Sequence, residues 1–513
     1  MVVSPLRSPV PGDGGGHGDV PRIRARSLPE PSRVELAGRS LRIAASTIRH
    51  LSPLVVRRAR HPGRGGVPAA VVARRLRLAF EDLGGTFMKF GQLIASSPAM
   101  FGEEVADEFR ACLDLGPVED VAAVRARVED DLGMSIAEAF AEFEPTAIGR
   151  ASIAVVHRAR LHDGRQVAVK VLRPGIERLV AADLDLMTPL IRLVVRETGD
   201  QMAGSILQLV SGFRVQIAEE MDLRNEARSL AHFRRLTTEI SLPLLVVPEP
   251  YPEMSGPNVL TMEYLDGVPI DDLAQVAEMG VDPAPLVEQV VRSFFLTTVR
   301  WGAFHGDVHA GNMLLLRDGR IGVIDWGIVG RLDAETHWFF LRLLAAALGE
   351  DAAWTDVTAH ISATYGPAIQ DAVGLSDDQL TAFVRSLIEP VLNRPFGEVS
   401  LAAVMMATQQ QVVTAQGIGA HRRSPAALAH RLRAQRRLRR MADESGGTTS
   451  EFDRGSFLLG KQLMYFERYG KMFLSDVPIL NDRAFFSQLL AGVGEGAPGR
   501  PVPTAAGEGA RLS

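Results

Sequence analysis

The stretch Phe304 to Gly327, F-H-G-D-V-H-A-G-N-M-L-L-L-R-D-G-R-I-G-V-I-D-W-G, decides how the rest of the chain is read. Asp307 and Asn312 have the D-x-x-x-x-N spacing of a phosphotransferase catalytic loop. Met313 to Leu316 reads as a short buried strand, Arg317-Asp318-Gly319-Arg320 as a tight turn centred on Asp-Gly, and Ile321 to Ile324 as the returning strand. Asp325-Trp326-Gly327 follows at once. Such a hairpin carries Asn312 and Asp325 to neighbouring positions at one end of a sheet. Two adjacent oxygen ligands are what Mg²⁺ on nucleotide phosphates needs. Asp307 then sits where an acceptor's proton is taken or its oxygen oriented. An Asp-Gly turn between apolar strands is common, and each carboxylate taken singly fits a solvated loop. The ordered set of loop, hairpin and Asp-x-Gly is rare, and it carries the reading.

Upstream, Val155-Val156 and Val167 to Val171 are β-branched runs joined by the turn His162-Asp163-Gly164-Arg165. They place Lys170 inside a strand with apolar neighbours, where a lysine needs a partner. Contact with nucleotide phosphates suits it. The loop Gly149-Arg150-Ala151-Ser152 would cover those phosphates, although it is neither G-x-G-x-x-G nor G-x-x-x-x-G-K-[ST]. Glu219, Glu220, Asp222 and Glu226 fall in a helical stretch from about 176 to 240, the last three within two turns of one helix. They form either an exposed acidic face or the source of a carboxylate for a lysine across a cleft. Val259 to Tyr264 reads as a strand running into a hinge. There the backbone groups of Glu263 and Tyr264 would hydrogen-bond an adenine ring.

Glu81 to Ser96, E-D-L-G-G-T-F-M-K-F-G-Q-L-I-A-S, reads as one amphipathic helix. Leu83, Phe87, Phe90 and Ile94 make its apolar stripe, with Lys89 and Gln92 on the other side. Residues from about 36 to 80 are helix-compatible and rich in arginine. They form either a solvated face or a surface for anionic lipid headgroups. His430 to Arg440 is a second basic helical run, read as solvated or as a partner surface.

The chain of 513 residues has room for two or three domains, and its 46% hydrophobic and 23% charged residues suit a globular protein. A net charge of −5 argues against wholesale nucleic-acid binding. The single cysteine, Cys112, rules out an intramolecular disulfide and a cysteine-based metal cluster, which fits a reducing compartment. No run of 18 apolar residues reads as a transmembrane helix, and Met1 to Arg33 lacks a signal-peptide core. The expected location is cytoplasmic, with at most peripheral membrane contact.

Taken together these motifs resemble the UbiB, or aarF-domain, family of atypical kinases, associated with quinone-lipid biosynthesis. Lys89-Phe90-Gly91-Gln92 is similar to the family's K-x-G-Q signature. Ala151-Ser152-Ile153-Ala154 followed by His157 resembles its alanine-rich loop. Lys170 takes the place of the nucleotide lysine, and Glu220-Met221-Asp222 that of E-x-D. Glu226 falls where the lysine-pairing glutamate is expected, and Gly306 to Asn312 resembles the D-P-H-P-G-N loop. Gly149-Arg150, Val155, Val308 and Ala310 depart from the family pattern, the last two replacing both prolines of the catalytic loop.

The resemblance implies an α+β, two-lobed protein-kinase-like fold with an N-terminal helical extension carrying K-x-G-Q. The expected divisions are a disordered segment 1–35, the extension 36–145, an N-lobe 146–265, a helical C-lobe 266–490 and a disordered tail 491–513. It further implies pairs Lys89–Glu220 and Lys170–Glu226, and a roof over the cleft. Asp307, Lys170, Lys89 and Glu220 are the expected catalytic set. Ala151, Ser152, Lys170, Glu226, Glu263 and Tyr264 would hold ATP or ADP, and Asn312 and Asp325 would hold Mg²⁺. The acceptor is left open, a quinone or isoprenoid lipid being the family's suggestion. Two alternatives stay open: a nucleotide-switched lipid-binding protein with little phosphotransfer, and a small-molecule kinase of the aminoglycoside or choline type.

Overall fold

The computed structural model describes residues 23–60, 68–95, 101–112, 118–198, 202–239, 245–365, 377–392 and 482–491, with shorter pieces at 395, 398 and between 455 and 477. The basic run His430 to Arg440 and the tail beyond 491 lie outside the described residues. Helices α1 (Arg33–Arg60), α2 (Ala69–Leu83), α3 (Gly85–Ala95) and α4 (Glu103–Arg110) form an N-terminal layer. α5 (Val121–Leu132) and α6 (Ile136–Ala139) lead into three strands, β1 (Glu142–Arg150), β2 (Ala154–Arg160) and β3 (Gln166–Leu172). Then come α7 (Ile176–Thr198), α8 (Met202–Glu220), α9 (Leu223–Glu239), β4 (Leu245–Val246) and β5 (Val259–Glu263).

The first sheet runs β1-β2-β3-β5, all antiparallel. β1 is an edge strand, which lets it hold Pro145 without losing a central ladder bond. Lys170 lies opposite Val156 on one side and Leu260 on the other, so two neighbouring strands fix its position. Beyond the hinge, β6 (Gly267–Pro269) joins β8 (Met313–Leu316), β9 (Ile321–Val323) and β4 in the order β4-β9-β8-β6, and β7 (Ala303–His305) pairs with β10 (Val329–Arg331). Helices α10 (Leu273–Glu278), α11 (Ala284–Trp301), α12 (Ala334–Ala347), α13 (Asp351–Tyr365), α14 (Asp377–Leu392) and α15 (Arg483–Ala491) complete the second lobe. The sequence explains α11: Val287, Val290, Val291, Phe294 and Phe295 recur on one face and are buried. One continuous apolar core includes Phe87 and Phe90 of α3, Leu172 of β3, Phe233 of α9 and Phe294 of α11.

Three expectations are corrected. The helix expected over 81–96 is broken, because Gly84 and Gly85 take φ of 64° and 49°. Left-handed backbone favours glycine, and the Gly84 N–H closes α2 on the Phe80 carbonyl. The acidic run is also split. α8 stops at Glu220 and α9 starts at Leu223, with the Asp222 carboxylate accepting from the Arg224 N–H at 3.1 Å to cap the second helix. Finally, part of the segment 1–35 expected to be disordered belongs to the fold. The Arg26 N–H donates to the Ala218 carbonyl at 2.8 Å, and its guanidinium donates to the Met221 carbonyl at 2.9 Å and to Asn258 at 2.7 Å. The bonds to Ala218 and Met221 serve carbonyl groups that the break after α8 leaves without helical partners. α1 itself begins at Arg33.

Candidate active site

Lys170 is the centre of the site. Its side chain is 13% exposed, and its ammonium donates to both Glu226 oxygens at 2.9 and 2.8 Å and to Asp325 Oδ2 at 3.3 Å. Burial works against the lysine charge, but Asp325 and Glu226 outweigh it and hold the pKa above the ordinary value. Burial pushes Glu226 up to about 7, with the Lys170 ammonium pulling the other way. Asp325 shows the opposite balance: burial raises it, yet Lys170 and then Lys89 hold it down at about 2.

The hairpin supplies the other half. The Ile324 N–H donates to the Asn312 carbonyl at 3.0 Å, continuing the β8–β9 ladder by one rung. Asn312 and Asp325 therefore stand one residue apart across its mouth. The Asn312 amide donates to the Asp307 carbonyl at 3.1 Å. This directs the side-chain oxygen away from that bond. Trp326 is fully buried, with its indole N–H on the Val323 carbonyl at 2.8 Å and its ring 4.5 Å from Phe233 and 4.7 Å from His305. The Gly327 N–H donates to Asp325 Oδ1 at 2.9 Å.

Sequence reasoning missed His305. It accepts the Asp307 N–H on Nδ1 at 3.0 Å, which leaves Nε2 to donate to the Asp325 carbonyl at 2.5 Å. Burial keeps this imidazole neutral, with a pKa of about 4. One side chain thus ties the catalytic loop to the Asp-Trp-Gly turn. Two C-terminal tyrosines were also missed. The Tyr465 hydroxyl donates to Asp307 Oδ1 at 3.1 Å, and the Tyr469 hydroxyl donates to the Val308 carbonyl. Val308 stands where a proline was expected, so these bonds restrain a loop that lacks proline stiffness.

Above the cleft, Lys89 of α3 forms an ion pair with Glu220, which also accepts from Gln216 at 3.0 Å. Gly91 in the same turn faces Phe109 of α4: an added Cβ would lie 3.2 Å from its ring and 3.4 Å from Cys112 Sγ. The glycine in K-x-G-Q thus permits close approach of α3 and α4. The Ala151 carbonyl accepts Arg173 Nε at 3.0 Å and Nη2 at 2.8 Å, while Arg173 Nη1 reaches Glu119 at 2.5 Å. No local motif announced that clamp. Ser152 is turned into the core at 2% exposure, its hydroxyl without a partner among the described residues. Its hydroxyl cannot then meet a phosphate, and only loop backbone could. The hinge differs likewise. The Glu263 N–H is given to Glu249 at 2.8 Å and the Tyr264 N–H to Gln166 at 3.2 Å, so neither donor is open to an adenine ring.

The donor set fits one small divalent cation. Asp325 is an ionised, part-exposed carboxylate, Asn312 offers an amide oxygen, and the trio with Glu226 and Lys170 has more negative than positive charge. Among the described residues no group of three or more His, Cys, Asp or Glu side chains is arranged for a metal. A cation held by Asn312 and Asp325 would complete its shell with phosphate oxygens and water, as Mg²⁺ does in nucleotide sites.

The fold and this lysine–glutamate, loop and hairpin geometry define a protein-kinase-like class with an added helical roof. Residues 115–356 match the ABC1 atypical kinase-like domain. An uncharacterised aarF domain-containing protein kinase of Arabidopsis thaliana is 32% identical over 80% of this chain and 73% of its own length. An uncharacterised Mycobacterium tuberculosis protein is 32% identical over 89% of this chain and 86% of its own. The probable protein kinase UbiB of Cellvibrio japonicus is 34% identical over 65% of this chain and 59% of its own. The chain belongs to the UbiB, or aarF-domain, family of atypical kinases.

Proposed function

We propose that the protein is an ATP-binding, Mg²⁺-dependent atypical kinase or ATPase serving quinone or other isoprenoid-lipid metabolism. The observation that carries the chemistry is Lys170 held between Glu226 and Asp325 beside the Asp307–Asn312 loop. Lys170 would bind the α- and β-phosphates, with Glu226 holding its ammonium in place. Asn312 and Asp325 would hold Mg²⁺, which when bound neutralises phosphate charge. Asp307 takes the proton of the acceptor, or orients it, with its carboxylate fixed by Tyr465. Such transfer demands placement and electrostatics more than covalent chemistry. The quinone connection rests on the family and on the UbiB names of relatives.

Phosphate release from Mg·ATP, with and without lipid vesicles, tests this reading. Asp307→Asn should lower turnover by about 10²–10⁴-fold while nucleotide still binds. Unchanged release by that variant would remove Asp307 from the mechanism. A second reading, a nucleotide-driven switch with little phosphotransfer, is favoured by the Lys89–Glu220 contact that roofs the cleft. Vesicle-stimulated phosphate release with no phosphorylated product would select it.

A further inference from the structure

We propose that α1 docks the protein on an anionic phospholipid surface through an apolar stripe of Val34, Leu41 and Ile48. The three recur every seven residues, so they lie along one line of the helix, and they are 82%, 71% and 66% exposed. Ala37, Ala44 and Ala45 fill the intervals on that side and are exposed as well. At 100° per residue, exposed Arg33 falls on one edge of the stripe and exposed Arg42 and Arg49 on the other, Arg49 lying 3.8 Å from the Asp82 carboxylate of α2. α1 carries seven arginines and one acidic residue, Glu35, whose carboxylate is already taken by Arg178 and Ser32.

The opposite side of the helix is anchored. Arg39 is 6% exposed and forms a two-bond ion pair with buried Asp183, at 2.5 and 3.0 Å. Its guanidinium also reaches the Leu83 carbonyl at 3.0 Å, and the Ser46 hydroxyl reaches the Ala79 carbonyl at 3.3 Å. Rolling the helix to hide the stripe would break a buried ion pair, a strongly destabilising event. The stripe is therefore a fixed outward face, about 21 Å long. Among the described residues no helix is long and apolar enough to cross a membrane, so the contact is interfacial. Apolar side chains would enter the headgroup boundary while guanidinium groups stay among lipid phosphates.

The proposal is independent of phosphotransfer. The full chain is floated with vesicles of phosphatidylcholine alone and of phosphatidylcholine mixed with phosphatidylglycerol. Binding is expected to the mixed vesicles only, and weaker at high salt. The double variant Leu41→Ser with Ile48→Ser should bind about tenfold less or weaker, with unchanged thermal unfolding because both side chains are exposed. Arg42→Gln with Arg49→Gln should weaken binding in the same direction. Equal binding by these variants, or none by the wild type, would overturn the proposal. So would a dimer of this chain that Leu41→Ser dissolves, which would give the face to a second copy. Mg·ATP stabilisation unaltered in the serine variant keeps this result separate from the fate of the kinase reading.

Discussion

Lys170 brings one positive charge to two carboxylates, and this pairing sets the response of the site to substitution. Asp325→Asn removes a carboxylate that Lys170 and Lys89 hold ionised, so the ligand-free protein should unfold at a lower temperature. It should also gain nothing from Mg·ATP. A gain in melting temperature equal to the wild type's would contradict the cation assignment. Tyr465→Phe removes the hydroxyl that orients Asp307. Turnover should drop about tenfold, with the ATP KM unchanged. His305 governs stability in acid. Its unfolded imidazole titrates near 6.5 and its native one at about 4. Between those values the unfolded chain takes up a proton that the native state refuses, so stability falls as pH drops through the window. The slope is about 1.4 kcal/mol per pH unit, about 3 kcal/mol in all. Denaturant titrations of wild type and His305→Asn should show the difference between them shrinking by that amount from pH 6.5 to 4.

Among elements, the glycines at close approaches are the sharpest test. Opposite Phe304, an added Cβ on Gly330 would lie 2.1 Å from the ring, so Gly330→Ala must push β7 and β10 apart. It should lower stability by about 1–3 kcal/mol. Gly85→Ala combines a φ of 49° with a Cβ 3.3 Å from Leu179, and should lower stability by about 1–2 kcal/mol in denaturant melts. The β8–β9 hairpin was legible, because two short continuous apolar runs around Asp-Gly leave few other pairings. The break between α2 and α3 was less so. The stripe from Leu83 to Ile94 has helical spacing, and periodicity masked two adjacent glycines that are themselves a stop signal. In the acidic run, the capping aspartate was read as one more face residue instead of the start of a new helix.

Over the whole molecule, what could be read was what the chain keeps local. Lys89, Lys170, Glu220 and Glu226 were each visible in short motifs, and the structure joins them in two ion pairs across the cleft. Tyr465 reaches Asp307 from 158 residues away and Arg173 reaches Glu119 from 54, with no motif at either end. Such pairs follow from packing of distant helices, which local patterns do not encode. The exposed stripe on α1 was hidden for a related reason. Its arginines were noticed, but which side of the helix Arg39 would anchor depends on Asp183, 144 residues later.

The K-x-G-Q helix has a consequence of its own. Phe87 and Phe90 are 4% and 6% exposed, and they pack edge-on against Phe80 and Phe213. Met88, Leu93 and Ile94 of the same helix are buried too, so lifting α3 clear would cost well beyond the ~4 kcal/mol of the two rings alone, and open molecules would be rare. A nucleotide held beneath it would leave at the tempo of the helix and not at its own. The protein would then behave as a slow timer, and loosening those two rings would set it running faster.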